Sequence, residues 1–307
     1  MEFKGRDVIS IYDFSKQELL YIIRIAKQIK LNPQKYSGVL RGKVMAAMFF
    51  EPSTRTRLSF SSAMEQLGGQ VIGFSNSNVT SMQKGESLWD TVKMTENYSD
   101  AIVIRHPLEG SARLAAEASE VPVINGGDGS NQHPTQTMLD IFTINESKGK
   151  LENLHVGFLG DLKYGRTVHS LVVALSHFNP VFYFIAPEGL KMPEHYLAEL
   201  RQKGIKYYES SNLEPSLSRM DILYVTRIQK ERFAEPLEYQ KYKGVYKIDN
   251  SALKNAKETL KIMHPLPRVD EISKEVDSTE HALYFQQAAN GIPIRKTLLS
   301  LVLGKLK

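Results

Sequence analysis

No cysteine occurs among the 307 residues. Its absence excludes disulfides, thiolate metal sites, iron–sulfur clusters and cysteine nucleophiles. Long apolar runs are missing too. The longest, Val44 to Phe50, falls far short of the roughly 18 residues that a membrane span needs. The eight histidines form no H-E-x-x-H pair and no carboxylate cluster accompanies them, so no metal site and no cofactor are expected. There is no G-x-S-x-G elbow and no Walker loop. Met1 to Asp7 carry neither the apolar core nor the cleavage pattern of a signal peptide, which leads to the expectation of a cytoplasmic protein that does not engage a membrane. An excess of one charge sign is nearly absent as well. Lys plus Arg is 39 against 34 for Asp plus Glu, a net +5. That balance suits small anionic ligands and argues against a nucleic-acid partner.

What is present is an ordinary globular composition, 42% hydrophobic and 24% charged, which excludes wholesale disorder. At roughly 150 residues per domain the length suggests two domains. Short apolar runs alternate with helical patterns throughout. Ser15 and Glu18 make a capping box ahead of Leu19, Ile22, Ile23, Ala26 and Ile29. Strands are expected at 44–50, 71–74, 101–104, 121–124, 156–159, 181–185, 205–208, 222–225 and 261–263. Helices are expected at 53–67, from Ser87, and at 111–118, 134–147, 167–177 and 193–203. Residues 76–85 read as a polar loop and 126–129 as a turn. Residues 281–303 read as one long helix that Pro293 kinks or breaks. The fold class that follows is α/β, with two doubly wound parallel-sheet domains, 1–149 and 150–307, joined by helices. Periodicity does not show where the C-terminal helix packs; the expectation is a return to the first domain.

The densest chemistry is Phe50-Glu51-Pro52-Ser53-Thr54-Arg55-Thr56-Arg57, where a buried strand hands over to a helix start. Ligands of open α/β sheets bind at such exits. A helix N-terminus with hydroxyls and a guanidinium fork favours phosphate, against the plainer reading of a Ser cap followed by surface arginines. His133 and Gln136 open a second helix beyond a strand. They read equally well as carbonyl and amide contacts or as helix capping beside a surface histidine. Arg105, Arg166, Thr226 to Gln229 and the proline-framed turn His264 to Arg268 all follow strand ends. Each alone is more often loop chemistry. Together they offer many anion ligands and no covalent nucleophile, which points to transfer between two bound anionic substrates by positioning and polarisation.

Ser53-Thr54-Arg55-Thr56-Arg57, His133-Pro134-Thr135-Gln136 and His264-Pro265-Leu266-Pro267 resemble, in order and spacing, the signatures of the aspartate/ornithine carbamoyltransferases. Thr226 to Phe233 resembles the loop of the aspartate-using members, and Lys84-Gly85-Glu86-Ser87 the family's mobile loop. The resemblance runs from about residue 3 to residue 303. It implies transfer of a carbamoyl group from carbamoyl phosphate to the α-amino group of L-aspartate, the step that commits carbamoyl phosphate to pyrimidine synthesis. The first domain is then expected to bind carbamoyl phosphate and the second aspartate. Ser53, Thr54, Arg55, Thr56 and Arg105 are expected to hold the phosphate. Thr56, Arg105 and His133 would polarise the carbonyl, with Gln136 on the carbamoyl amide. Arg166, Arg227, Gln229, Leu266 and Pro267 are expected around aspartate. Lys84 is expected to reach both substrates from a neighbouring subunit of a homotrimer, and a regulatory subunit is a possible further partner. The family has a serine four residues before the loop lysine; here Thr80 stands there and Ser81 follows, so the hydroxyl role is split. Glu51 is expected to pair with Arg166 or Arg232 when the domains close. The competing readings are an ornithine-using enzyme, to which Arg227 and Gln229 are unsuited, and a catalytically inactive binding subunit.

Overall fold

The structure, a computed structural model, describes residues 1–76, 80–229, 233, 235 and 239–306. Chain contacts divide it into two compact units, Met1–Phe142 with Asn290–Lys307, and Thr143–Ala289.

The first unit opens with α1 (Lys16–Leu31). Ser15 accepts from the Glu18 N–H, and the Glu18 carboxylate accepts from Ser15 N–H at 2.8 Å. Leu19, Ile22, Ile23, Ala26 and Ile29 then bury one face. There follow β1 (Val44–Phe49), α2 (Thr54–Gln66), β2 (Gln70–Phe74), α3 (Leu88–Glu96), β3 (Ala101–His106), α4 (Ser111–Ala118), β4 (Val123–Asp128) and α5 (Pro134–Lys148). All pairings are parallel, in the order β2-β1-β3-β4. Ala46, Met48, Ile102 and Ile104 meet Ala112 and Ala115 of α4 in one core. The strand order reverses between β1 and β3, and their C-terminal ends there form the crevice where such sheets bind ligands.

The second unit repeats the scheme with β5 (His155–Leu159), α6 (Arg166–Ser176), β6 (Val181–Ile185), α7 (Glu194–Gln202), β7 (Lys206–Ser210), α8 (Glu214–Leu217), β8 (Ile222–Val225), β9 (Lys261–Met263) and α9 (Tyr284–Ala289). Its described strands are parallel in the order β7-β6-β5-β8-β9. Here the reversal lies between β5 and β8. The chain then returns to the first unit as α10 (Gly291–Val302), which packs on α1 and α2.

Three expectations need correcting. The C-terminal segment is two helices, not one, and the break falls at Asn290, ahead of Pro293. Proline instead sits in the first turn of α10, where its missing N–H is one of the donors without an intrahelical partner anyway. Gly126-Gly127-Asp128 is not a turn but the irregular end of β4, where the register against β3 shifts and Gly127 takes φ 119°. Ser81–Lys84 is a 3₁₀ turn rather than open loop, closed by Gly85 at φ 91°. Chain contacts divide the units between Phe142 and Thr143, within α5, where the sequence reading set the boundary at Gly149. Among the described residues no helix is long and apolar enough to cross a membrane.

Candidate active site

At the switch point of the first unit, Phe50 N–H donates to the Arg105 carbonyl at 2.8 Å, which joins the exits of β1 and β3. Ser53 occupies the N-cap position of α2, but its side chain makes no capping bond. Its hydroxyl therefore differs from the plain cap that the bare sequence allowed. Thr54 and Arg55 are exposed in the first turn, while Thr56 is only 7% exposed. The helix start presents N–H groups and the positive end of its dipole at this exit. Arg105 Nη1 donates to the Gly126 carbonyl at 2.9 Å, and Nη2 lies 2.6 Å from Glu51 Oε1. Glu51 is thus held by Arg105 of its own unit. Of the partners expected for it, Arg166 belongs to the other unit, and Arg232, like Lys230 and Glu231, lies outside the described residues.

His133 precedes α5 and is 4% exposed, so it is not a surface histidine. Its carbonyl accepts from the N–H groups of Gln136 and Thr137, at 3.0 and 3.2 Å. The segment leading to it is fixed by the buried Asp128. One carboxylate oxygen of Asp128 accepts from Gln132 N–H (3.1 Å) and Asn125 Nδ2 (2.8 Å). The other accepts from Gly110 N–H (2.9 Å) and Asn131 Nδ2 (3.0 Å). Gln136 Nε2 donates to Asp140 Oδ1 at 2.9 Å. Because a carboxylate only accepts, the amide must turn its nitrogen to Asp140, and its carbonyl oxygen is the end left for a ligand N–H. Lys84 is exposed at the end of its turn and makes no hydrogen bond or ion pair with the described residues. Thr80 stands just before that turn, at its N-cap, and the exposed Ser81 begins it.

The second unit's switch point is built by close approach. Gly160 has φ 118°, and a Cβ there would lie 2.2 Å from the Thr226 carbonyl oxygen, so no side chain fits between the exits of β5 and β8. Thr226 Oγ1 accepts from Asp161 N–H at 3.1 Å. Burial pushes the Asp161 carboxyl up, against bonds from the Tyr164, Gln229 and Lys163 backbone. Arg166 is the first residue of α6, and Gln229 Nε2 donates to the Tyr164 carbonyl at 3.3 Å. Arg227 lines a cavity of about 190 Å³ together with Gly160, Thr226, Tyr239, Lys243 and Glu271.

The turn after β9 is organised by a histidine. Burial pushes the His264 imidazole below its ordinary value; Glu271 acts the other way, and Arg227 and Arg268 add to the lowering. The neutral ring accepts from Leu266 N–H at Nδ1 (2.8 Å) and donates from Nε2 to Glu271 Oε1 (2.7 Å). Val269 and Asp270 N–H groups, both at 3.1 Å, bind the other carboxylate oxygen. Leu266 is thereby held at φ 56°, a region that leucine rarely adopts, next to the cis Leu266–Pro267 bond. Glu271 and Asp140 escaped the sequence reading. Asp140 carried a faint signal, four residues after Gln136 on the same helix face; Glu271 carried none.

The structure therefore gathers Ser53, Thr54, Arg55, Thr56, Arg105, His133 and Gln136 at strand exits and helix starts of one unit, and Arg166, Arg227, Gln229, Leu266 and Pro267 likewise in the other. Comparison with known proteins finds relatives of both halves of the chain. The family profile described as aspartate/ornithine carbamoyltransferase, carbamoyl-P binding domain, matches residues 6–146, and the Asp/Orn binding domain of the same family matches residues 152–302. The aspartate carbamoyltransferase catalytic subunit of Thermococcus onnurineus (strain NA1) is 59% identical, over 100% of each chain. That of Chromobacterium violaceum is 53% identical, over 98% of each. Among solved structures, the catalytic subunit of M. jannaschii aspartate transcarbamoylase superimposes with a TM-score of 0.90 at 50% identity, covering 96% of this chain and 97% of that one. The Trypanosoma cruzi aspartate transcarbamoylase in complex with carbamoyl phosphate and aspartate gives 0.93 at 35% identity, covering 98% of each. With both of its halves matched and relatives more than half identical over its whole length, the chain belongs to the aspartate/ornithine carbamoyltransferase family.

Proposed function

We propose that the chain transfers the carbamoyl group of carbamoyl phosphate to the α-amino group of L-aspartate, giving N-carbamoyl-L-aspartate and phosphate, and so commits carbamoyl phosphate to pyrimidine synthesis. The carrying observation is the Gln136 amide, pinned through nitrogen to Asp140 in the same unit as the phosphate-type helix start. It offers an acceptor where a carbamoyl NH₂ needs one. The first unit reads as the carbamoyl phosphate-binding domain and the second as the aspartate-binding domain.

Ser53, Thr54, Arg55 and Thr56, with Arg105, hold the phosphate. The aspartate amine attacks the carbonyl carbon, a C–N bond forms, and the carbonyl oxygen becomes an oxyanion. Thr56, Arg105 and His133 donate to that oxygen, each such donor being worth roughly 3 kcal/mol. The C–O bond to phosphate then breaks. Phosphate leaves with the electron pair and takes up the amine proton, so no strong protein base and no cofactor are required. Arg166, Arg227 and Gln229 take the two carboxylates of aspartate, with Leu266 and Pro267 beside it and the carbonyls near Pro265 and Leu266 meeting the carbamoyl amide and the incoming amine. The assembly is a cytoplasmic homotrimer in which Lys84 enters a neighbour's site, with a regulatory subunit as a possible further partner. Initial rates with aspartate and with ornithine test the reading. Carbamoyl transfer to aspartate alone is expected; transfer to ornithine, or none to either, would reject it.

A further inference from the structure

Arg295, on α10, is 4% exposed and lies far in sequence from both motifs of the first unit. Its Nη1 donates to Ser59 Oγ of α2 at 2.9 Å, and its guanidinium carbon sits 4.9 Å from the centre of the Phe60 ring. Burial pushes this guanidinium down to about 10, and the fully buried Asp140 carboxylate pulls it back up. It therefore stays charged at neutral pH. A glycine makes room for it: a Cβ on Gly291 would lie 2.2 Å from Nη1 and 3.2 Å from Ser59 Oγ. Lys30 Nζ, donating to Asn290 Oδ1 at 2.8 Å, fixes the start of the same helix.

Ser59, the hydrogen-bond partner of Arg295, and Asp140, whose charge acts on it, each fall one helical turn from a ligand-bearing turn. Ser59 follows Arg55 by four residues on α2, and Asp140 follows Gln136 by four on α5. We infer that Arg295 is a positioning residue for carbamoyl phosphate. Through Ser59 it sets the phosphate-binding start of α2, and through the charge of Asp140 it keeps the Gln136 amide turned to accept from the carbamoyl NH₂. An ionised Asp140 accepts only, so Gln136 must donate to it. Without the buried cation, the fully buried Asp140 carboxylate loses an opposite charge that favours its accepting form, and the amide loses its fixed sense. The inference rests on the proposed reaction and adds to it that α10, supplied by the far end of the sequence, completes the carbamoyl phosphate half of the site.

The test replaces both charges by apolar residues, Asp140→Leu with Arg295→Met, so that neither buried charge is left without the other. Carbamoyl phosphate binding to the folded full-length chain is measured by calorimetry, alongside KM for each substrate. The expected result is a carbamoyl phosphate affinity lower by about 30-fold, in line with small displacements of positioning groups, while KM for aspartate at saturating carbamoyl phosphate moves by less than about threefold. A folded double variant that binds carbamoyl phosphate like wild type would overturn the inference. If the double variant does not fold, Ser59→Ala decides, since it removes only the acceptor of Arg295. A loss of about tenfold in carbamoyl phosphate affinity supports the inference, and none overturns it. Wild-type protein that fails to bind carbamoyl phosphate would mark a failure of the functional reading itself.

Discussion

Glu51 and Arg105 face each other across the switch point of the first sheet at 2.6 Å, both side chains largely shielded. The guanidinium proposed to meet a phosphate dianion is thus already held by a carboxylate, and any anion arriving there competes with Glu51 for it. Charge-assisted pairs of this length are the stronger kind. Glu51→Gln is therefore expected to tighten binding of inorganic phosphate about fivefold, read by calorimetric titration. Unchanged affinity would mean that phosphate does not use Arg105.

Arg227 stands at the β8 exit in the other unit. Arg227→Ala should raise KM for aspartate by about 100-fold or more, as loss of a guanidinium–carboxylate fork does, while carbamoyl phosphate binding stays within about twofold. Equal weakening of both substrates would make Arg227 structural.

Lys84 has an exposed side chain at the end of its turn and is proposed to serve a neighbouring subunit. Arg55→Ala and Lys84→Ala chains are each expected to be nearly inactive alone. When subunits of the two are exchanged at equal amounts in a closed ring of three, each boundary has one chance in four of joining a good Arg55 to a good Lys84. About a quarter of wild-type activity should return. Demonstrated exchange without recovery would place Lys84 outside any shared site.

Stability should fall with acid through His169. Its Nε2–H donates to the Leu162 carbonyl at 2.7 Å, its ring stacks on Tyr196, and burial pushes it down to about 4. The unfolded chain binds this proton near pH 6.5 and the folded chain only near 4, so the unfolded state gains protons first as pH drops. The contribution is intact above pH 6.5 and is lost progressively towards 4, by roughly 3 kcal/mol in all. Urea midpoints at pH 7.5 and 5 should differ more for wild type than for His169→Gln. Equal shifts would assign the acid sensitivity elsewhere.

The chemistry of the two strand exits was legible because it is local. Ser53 to Arg57 and His133 to Gln136 couple a buried strand, a helix start and their ligands within a few residues, and Ser15 with Glu18 marks α1 by the same short-range logic. What escaped is set by distance or by irregular backbone. β4 runs on through two glycines whose composition says turn. Asn290 divides the last helix where Pro293 drew attention. The order of strands, and the meeting of Arg295 with Ser59 across the chain, follow from the packing of whole elements and leave no periodic trace.

The return of residues 290–307 to the first unit also orders events in time. Domains tend to fold as units while the chain is being synthesised, the N-terminal ones first. Here the ribosome makes all of Thr143–Ala289 before α10 exists, so the unit begun second has every part of itself earlier than the unit begun first. Until then the surfaces of α1 and α2 that α10 will cover, and the Asp140 carboxylate that awaits Arg295, belong to a nascent chain with an unfinished core. The second unit is complete first, and the first unit matures last, once α10 has been made.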